Sequence, residues 1–209
     1  MNHHLARFVP LGVFLATIAL SGPSAAAPLL NGDFSAGFAG WDGEVTDIFF
    51  TTTTVSPPPG AFVGNFDASS GAAVLTTTTL IDDVFAVFIF QTFDLPAIGA
   101  GESLQLSYDL AVALTNPIFG DAAFAQLNHG AGFGVTIDLL SGSSVDITSL
   151  AGETVELLFG VEDFDDLSDN LSVDNIAVNV LAAQVPEPGT LALVALALAG
   201  FGAQRARRK

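Results

Sequence analysis

Apolar and polar positions alternate in short runs between residues 28 and 184, and the runs end at glycine, asparagine, aspartate or proline. Residues 103–108 place three apolar side chains on one face and three polar side chains on the other, and residues 135–139 and 154–159 show the same pattern. Because side chains of a β-strand point to opposite faces in turn, this period of two predicts half-buried strands.

Further strands are predicted where β-branched and aromatic residues are concentrated between turn signals, at 46–55, 61–66, 72–80 and 86–93. Residues 171–178 also read as a strand, although their alternation is less clean. With about eight to ten short strands and few helical signals, we predict an all-β fold, an antiparallel sandwich of jelly-roll type.

Phenylalanine, which occurs 18 times, is expected mainly in the core of this sandwich. Phe49, Phe50, Phe88 and Phe90 lie in continuous apolar runs, which are typical of inner strands. If some of them instead face outward, they would form a patch for a partner or for self-association.

Charge is distributed unevenly along the chain. All five basic residues lie near the termini, at Arg7 and within 205–209, whereas every acidic residue except Glu187 lies in 28–184. We therefore expect no nucleic-acid partner, because phosphate recognition requires lysine or arginine. The absence of cysteine excludes thiol chemistry and disulfides.

The first 26 residues have the organisation of a secretory signal peptide. Arg7 provides a weakly basic start, an apolar run follows over 9–20, and small residues occupy 24–27. We predict a signal helix that signal peptidase removes after Ala26, which leaves an extracytoplasmic domain over 27–184. An uncleaved anchor or a buried helix is the alternative.

The other end of the chain, residues 185–209, combines three features. A proline-rich motif is followed by an apolar run over 190–203 and then by a basic tail. The motif consists of Val185, Pro186, Glu187 and Pro188, and the tail charges are Arg205, Arg207, Arg208 and Lys209. As a helix the apolar run is about 21 Å long, which is shorter than the hydrocarbon core of a membrane, about 30 Å thick. A single transmembrane helix therefore also needs the flanking residues and snorkelling arginines. The positive-inside bias would keep the tail cytoplasmic and the acidic domain outside.

These three features in this order resemble the PEP-CTERM sorting signal. The resemblance implies that residues 185–188 are recognised by an exosortase, a membrane protease of Gram-negative bacteria that make exopolysaccharide. It also implies processing at the inner membrane, followed by release to the cell surface or the extracellular matrix. A simple C-terminal membrane anchor is the alternative.

The domain itself resembles galactose-binding-like sandwiches, which include several carbohydrate-binding modules. Residues 29–34 with Gly40-Trp41 are similar to the opening of those domains, residues 91–97 with 104–109 to their middle strands, and residues 171–178 to their closing strand. The resemblance supports the sandwich fold, but fold alone does not define function. In related sandwiches a structural calcium ion joins the first strand to the last, and by that resemblance Asp33 and Asp174 are its candidate ligands.

The densest group of polar residues lies at 162–170. Carboxylates this close together repel one another, and no lysine or arginine is nearby in the sequence. A calcium ion, which takes six to eight oxygen ligands, would relieve that repulsion, with Asp163, Asp165 and Asp169 as candidate ligands. The spacing is not that of an EF-hand, and a solvated acidic loop is the alternative.

Signals for catalysis are weak. His129 is the sole histidine of 27–184 and precedes a glycine-rich stretch that reads as a loop, and no Gly-x-Ser-x-Gly elbow occurs. We predict no catalytic residue and no enzymatic activity.

The sequence therefore predicts an exported, non-catalytic protein of the cell surface or matrix, associated with exopolysaccharide. One alternative is a calcium-dependent carbohydrate-binding module, which needs aromatic side chains exposed in a groove. Trp41, the single tryptophan, reads instead as a core residue. The other alternative is a polysaccharide hydrolase, which needs two carboxylates facing each other across a cleft at about 5–10 Å.

Overall fold

The computed structural model describes residues 28–77, 84–115, 120–164 and 167–182. These residues form eleven β-strands in two antiparallel sheets, with short 3-10 turns at Ala131–Phe133 and Thr148–Leu150. The strands are β1 (Asp42–Asp47), β2 (Thr52–Val55), β3 (Phe66–Asp67), β4 (Ala73–Thr76), β5 (Val84–Asp94), β6 (Ser103–Ala113), β7 (Ala122–His129), β8 (Val135–Asp138), β9 (Ser144–Asp146), β10 (Thr154–Glu162) and β11 (Asn170–Leu181). The predicted all-β antiparallel sandwich is confirmed. Within these residues no helix is long and apolar enough to cross a membrane.

The strands divide into a six-stranded and a five-stranded sheet. The order is β2-β1-β5-β10-β7-β8 in the first and β3-β4-β11-β6-β9 in the second. From β4 onward the chain crosses repeatedly from one sheet to the other, so that strands distant in sequence become neighbours. This topology brings the ends of β10, β7 and β11 to the same part of the molecule.

The core lies between the two sheets and is built from the apolar faces of their strands. Trp41 is 1% exposed and packs against Phe34 at 5.3 Å between ring centroids and against Phe159 at 6.3 Å. Gln91 ties the opening segment to β5, since its side chain accepts from the Leu30 amide and donates to the carbonyls of Leu30 and Gly40. The predicted core position of Trp41 is confirmed.

A β-bulge in β11 explains the less clean alternation of residues 171–178. The register with β6 shifts between Asp174 and Ala177. Leu171 and Val173 point inward before the bulge, Ile176 points inward within it, and Val178 packs against the core after it. The freed Ile176 amide donates to the Gly32 carbonyl at 2.9 Å, which joins the opening segment to the last strand. Gly32 fits because a Cβ atom there would lie 2.1 Å from the Ile176 carbonyl oxygen.

Three strand predictions are corrected. The segment 46–55 is a hairpin rather than one strand, because the chain reverses between β1 and β2, and 61–66 is mostly turns. Phe49 and Phe50 lie in the hairpin turn and are 78% and 62% exposed, so they do not belong to an inner strand. In the third case two strands were missed, namely β7, which contains His129 and the residues before it, and β9.

Candidate functional site

The outer face of the six-stranded sheet, which points away from the core, carries an aromatic pair. On β5 the side chains of Val87 and Ile89 are buried in the core, so the alternate residues Phe88 and Phe90 point outward and are half-buried. The predicted inner strand is confirmed, since β5 lies between β1 and β10, but these two phenylalanines face outward instead of filling the core. A continuous apolar run arises here because both faces of β5 carry apolar side chains.

The aromatic pair consists of Phe88 and Phe124, which are held together across β10. Gly160 lies opposite Phe88 on one side and Phe124 on the other. The two rings are 5.6 Å apart between centroids and inclined by 51°. A Cβ atom on residue 160 would lie 2.0 Å from Phe88 Cδ1, so only glycine leaves room for the Phe88 ring.

Polar side chains lie on the same outer face, farther along β10 and β7. Asn128 lies opposite Glu156 and donates from Nδ2 to its Oε1 at 3.2 Å, and it accepts from Thr136 Oγ1 at 2.8 Å. Amide, hydroxyl and carboxyl groups beside an aromatic surface are the groups that sugar binding uses, through ring stacking and hydrogen bonds to hydroxyls.

Three glutamates on this outer face are withdrawn from water, Glu44 and Glu162 in part and Glu156 almost fully, at 6% exposure. Burial raises the pKa values of Glu44 and Glu162, and it is the main reason why the pKa of Glu156 is raised. For Glu156 the hydrogen bond from Asn128 opposes the shift and the negative charge of Glu44 adds to it. The coupling indicates that Glu44 and Glu156 face the same surface.

A second site lies where several strands end, and we call it the acidic cluster. Asp121 directly precedes β7, Asp163 directly follows β10, and Asp169 directly precedes β11. All three side chains are buried, and each places one carboxylate oxygen within 4.8 Å of the other two. The cluster therefore draws on both sheets.

Backbone and hydroxyl groups fix the orientation of these carboxylates. The Phe164 amide donates to Asp121 Oδ1 at 2.8 Å, and the Thr115 amide donates to Asp169 Oδ1 at 2.5 Å. The buried Thr77 hydroxyl donates to Asp163 Oδ2 at 3.3 Å and accepts from the Asp169 amide at 2.9 Å.

The structure brings two of the predicted calcium ligands together. Asp163 and Asp169 both belong to the acidic cluster, whereas Asp165 lies outside the described residues. Asp121 was not predicted, because nothing in its local sequence distinguishes it from other aspartates. Only the pairing of β7 with β10 brings it beside Asp163.

The other predicted pair, Asp33 and Asp174, belongs to segments that do meet, through Gly32 and Ile176. Each carboxylate accepts a local hydrogen bond, from the Ser35 amide and hydroxyl in one case and from the Asn175 amide in the other. The hydrogen bonds from Ser35 lower the pKa of Asp33. Their role as calcium ligands remains a prediction.

The remaining candidates for chemistry are mostly held in structural contacts. Trp41 and Tyr108 are 1% and 3% exposed, which removes both from any exposed sugar platform. The Tyr108 hydroxyl donates to the Leu139 carbonyl at 2.6 Å. His129 ends β7 and faces Glu153 at 3.7 Å between Nδ1 and Oε2, so the predicted loop begins one residue later.

The chain carries the PEP-CTERM protein-sorting motif at residues 184–208. This motif marks it as an exported protein that is processed at the membrane. The sorting residues Val185, Pro186, Glu187 and Pro188, the predicted signal and transmembrane helices and the basic tail all lie outside the described residues.

Solved structures similar to this chain are carbohydrate-binding modules with β-sandwich folds. One, described as "CBM4 structure and function", is 19% identical, with 70% of this chain and 99% of that chain covered and a TM-score of 0.39. Another, TmCBM61 in complex with β-1,4-galactotriose, is 11% identical, with 73% and 97% covered and a TM-score of 0.42. These similarities are too distant to assign a ligand or a binding residue to this chain. No curated protein sequence matches it. The fold and the motif together define an exported two-sheet sandwich with a PEP-CTERM sorting motif.

Proposed function

We propose that this protein is a non-catalytic surface or matrix protein of a Gram-negative bacterium, processed by an exosortase, that binds exopolysaccharide through the outer face of its six-stranded sheet. The sorting motif at 184–208 supports the route of export. The acidic, cysteine-free domain between the termini supports the non-catalytic role, because it offers no marked nucleophile or base.

The observation that carries the binding proposal is the aromatic pair. Phe88 and Phe124 present neighbouring rings on an outer sheet face, where the C–H groups of a sugar ring can pack against them. Asn128 lies on the same face with an amide group that can bond sugar hydroxyls, and it holds the buried carboxyl of Glu156. Gly160 keeps the space between the strands open for the Phe88 ring.

The charge of the domain indicates which glycans this face accepts. Residues 28–184 contain all but one of the 22 acidic residues and none of the five basic residues. A polyanionic glycan would be repelled by this surface unless cations bridge the two. A neutral segment of the polysaccharide is therefore the expected ligand.

The binding test uses the full-length protein and the exopolysaccharide of the producing bacterium, separated into neutral and acidic fractions. Co-sedimentation and calorimetry should show saturable binding to the neutral fraction. The variant Phe124→Ala should weaken binding at least about tenfold, because stacking on one ring is lost. The matched control Phe49→Ala removes an exposed phenylalanine outside this face and should bind normally. Equal affinity of both variants and the wild type would overturn the assignment of this face.

The sorting part of the proposal needs its own measurement. Mass spectrometry of the chain expressed with and without an exosortase should show loss of the C-terminal tail only when the protease is present. Glu187→Ala should block that loss, whereas Asn179→Ala, in β11 before the motif, should not. Tail removal without an exosortase would contradict this route.

A hydrolase remains the second candidate, because Glu44 and Glu156 lie on the same outer face in the register of β1, β5 and β10. Release of reducing ends from the polysaccharide would favour it, and Glu156→Gln should then abolish that release. Under our proposal the wild type releases none.

A further inference from the structure

The acidic cluster places three carboxylates in the interior where the two sheets meet. Asp121, Asp163 and Asp169 are 6%, 6% and 0% exposed, and their oxygens lie within 4.8 Å of one another. Several ionised carboxylates at this separation repel one another strongly when they are withdrawn from water. A positive partner must therefore be found for them.

The described residues supply no such partner near the cluster. They contain no lysine or arginine. Their one histidine, His129, lies at the opposite end of the eight-residue strand β7 from Asp121, a distance of about 26 Å along the strand. Within the described part of the chain the compensating charge is thus either a proton or a bound cation.

The environment of Asp121 favours a bound cation. Its Oδ1 accepts a hydrogen bond from the Phe164 amide, whereas its Oδ2 is buried and has no hydrogen-bond partner among the described residues. A cation at the centre of the cluster gives this buried oxygen a partner, because it takes oxygen ligands from several sides.

The spacing of the oxygens fits calcium. At Ca–O distances of about 2.3–2.6 Å, two ligands on opposite sides of the ion are about 4.6–5.2 Å apart, whereas for magnesium the limit is about 4.2 Å. The oxygens of the cluster lie within 4.8 Å of one another, so they can be ligands on different sides of one calcium ion.

We propose that Asp121, Asp163 and Asp169 bind one calcium ion between the two sheets. Asp121 and Asp163 flank β7 and β10 of the six-stranded sheet, and Asp169 precedes β11 of the five-stranded sheet. The ion joins strand ends that are far apart in sequence, which stabilises the folded sandwich because the unfolded chain holds no preformed site.

The test uses the full-length protein in mild detergent, freed of metal with EDTA and then titrated with calcium chloride. Calorimetry should give one tight site per chain. The midpoint temperature of thermal unfolding, followed by the fluorescence of Trp41, should rise by about 5–10 °C when the calcium concentration is about a hundred times Kd. Magnesium chloride at equal concentration should give a clearly smaller rise.

Substitutions identify the ligands. Asp121→Asn should abolish the calcium-dependent rise, yet in EDTA it should unfold at or above the wild-type temperature, because one repelling charge has gone. The control Asp67→Asn, at the exposed end of β3 and outside the cluster, should keep the full response. If Asp121→Asn does not fold, Asp163→Asn provides the same comparison.

Other outcomes would overturn the proposal. One is that Asp121→Asn or Asp163→Asn keeps the calcium-dependent rise in unfolding temperature. The other is that the wild type binds no calcium. The calcium ion would instead belong to Asp33 and Asp174 if two results occurred together. The double variant Asp33→Asn/Asp174→Asn would lose the tight site, and Asp121→Asn would keep its calcium response.

Discussion

The ring of Phe88 lies directly over Gly160, so closely that a Cβ atom on residue 160 would be 2.0 Å from its Cδ1 and 2.3 Å from its Cε1. The two residues face each other in the register of β5 and β10, and Phe124 completes the row on β7. A glycine in the middle of a strand, which is unfavourable by propensity, is thus explained by the aromatic side chain that needs its space.

Gly160→Ala should therefore both destabilise the sandwich and disturb the outer face. The new methyl group must push the Phe88 ring aside, which we expect to lower the free energy of unfolding by about 1–3 kcal/mol. Urea denaturation measures this change. Gly64→Ala is the control, because no atom lies within 4 Å of a Cβ there, and it should be neutral within about 0.5 kcal/mol.

Gln91 should be indispensable for the opening segment. Its side chain makes three hydrogen bonds, of 2.7, 3.1 and 2.7 Å, to the backbone of Leu30 and Gly40. Gln91→Ala leaves these backbone groups without their partner and should cost about 2–4 kcal/mol. Urea denaturation followed by Trp41 fluorescence provides the measurement. Gln105→Ala removes an exposed contact of 3.5 Å and should have almost no effect, so equal losses would contradict the prediction.

The free energy of unfolding should fall as the pH rises above 4.5. Burial raises the pKa of Glu156 above its ordinary value of 4.5, so the folded state binds the proton more tightly than the unfolded state. This stabilisation is complete below 4.5 and is lost as the pH rises through the folded-state pKa. Glu156→Gln should flatten that decline, measured by urea denaturation from pH 4.5 to 7.

Asp67→Asn is the matched control for this pH profile. Hydrogen bonds from Ser69 lower the pKa of Asp67 below 3.8, so its stabilising effect is lost only as the pH falls through that lower value. The decline above pH 4.5 should therefore persist in this variant. An identical decline in Glu156→Gln would show that Glu156 is not its source.

Tyr108 should ionise only at strongly alkaline pH in the folded protein. Burial, and to a smaller extent the charge of Asp138, raises its pKa above 10.0. Because it is the single tyrosine, its ultraviolet absorbance reports it alone. When urea unfolds the chain, the midpoint pH of this titration should fall towards 10. A midpoint at or below pH 10 in the folded protein would contradict the prediction.

Sequence periodicity predicted strands well where one face of a strand is buried. It was correct for 154–159, where Val155, Leu157 and Phe159 all point into the core. It was ambiguous for 171–178, because the bulge after Asp174 adds one residue to β11 and so exchanges its two faces from there on. A bulge depends on the partner strand, so local periodicity does not reveal it.

Continuous apolar runs led to a different kind of wrong prediction, because they do not show which way a side chain points. Phe49 and Phe50 lie in a hairpin turn, and Phe88 and Phe90 lie on an outward face, although all four occur in runs typical of buried strands. Hydrophobicity alone does not distinguish a side chain that fills the core from one that forms an exposed surface. Their outward position was considered from the sequence only as a possible patch for a partner.

The sequence by itself determined the all-β class, the acidic character of the domain and the sorting motif at 184–208, because composition, short-range alternation and a contiguous motif are local properties. Only the tertiary structure decided that Asp121 joins Asp163 and Asp169, and that Phe88 and Phe124 meet over Gly160. Both arrangements depend on antiparallel pairing between strands far apart in the chain. Such pairing is set by the packing of the whole sandwich, and a single stretch of sequence does not record it.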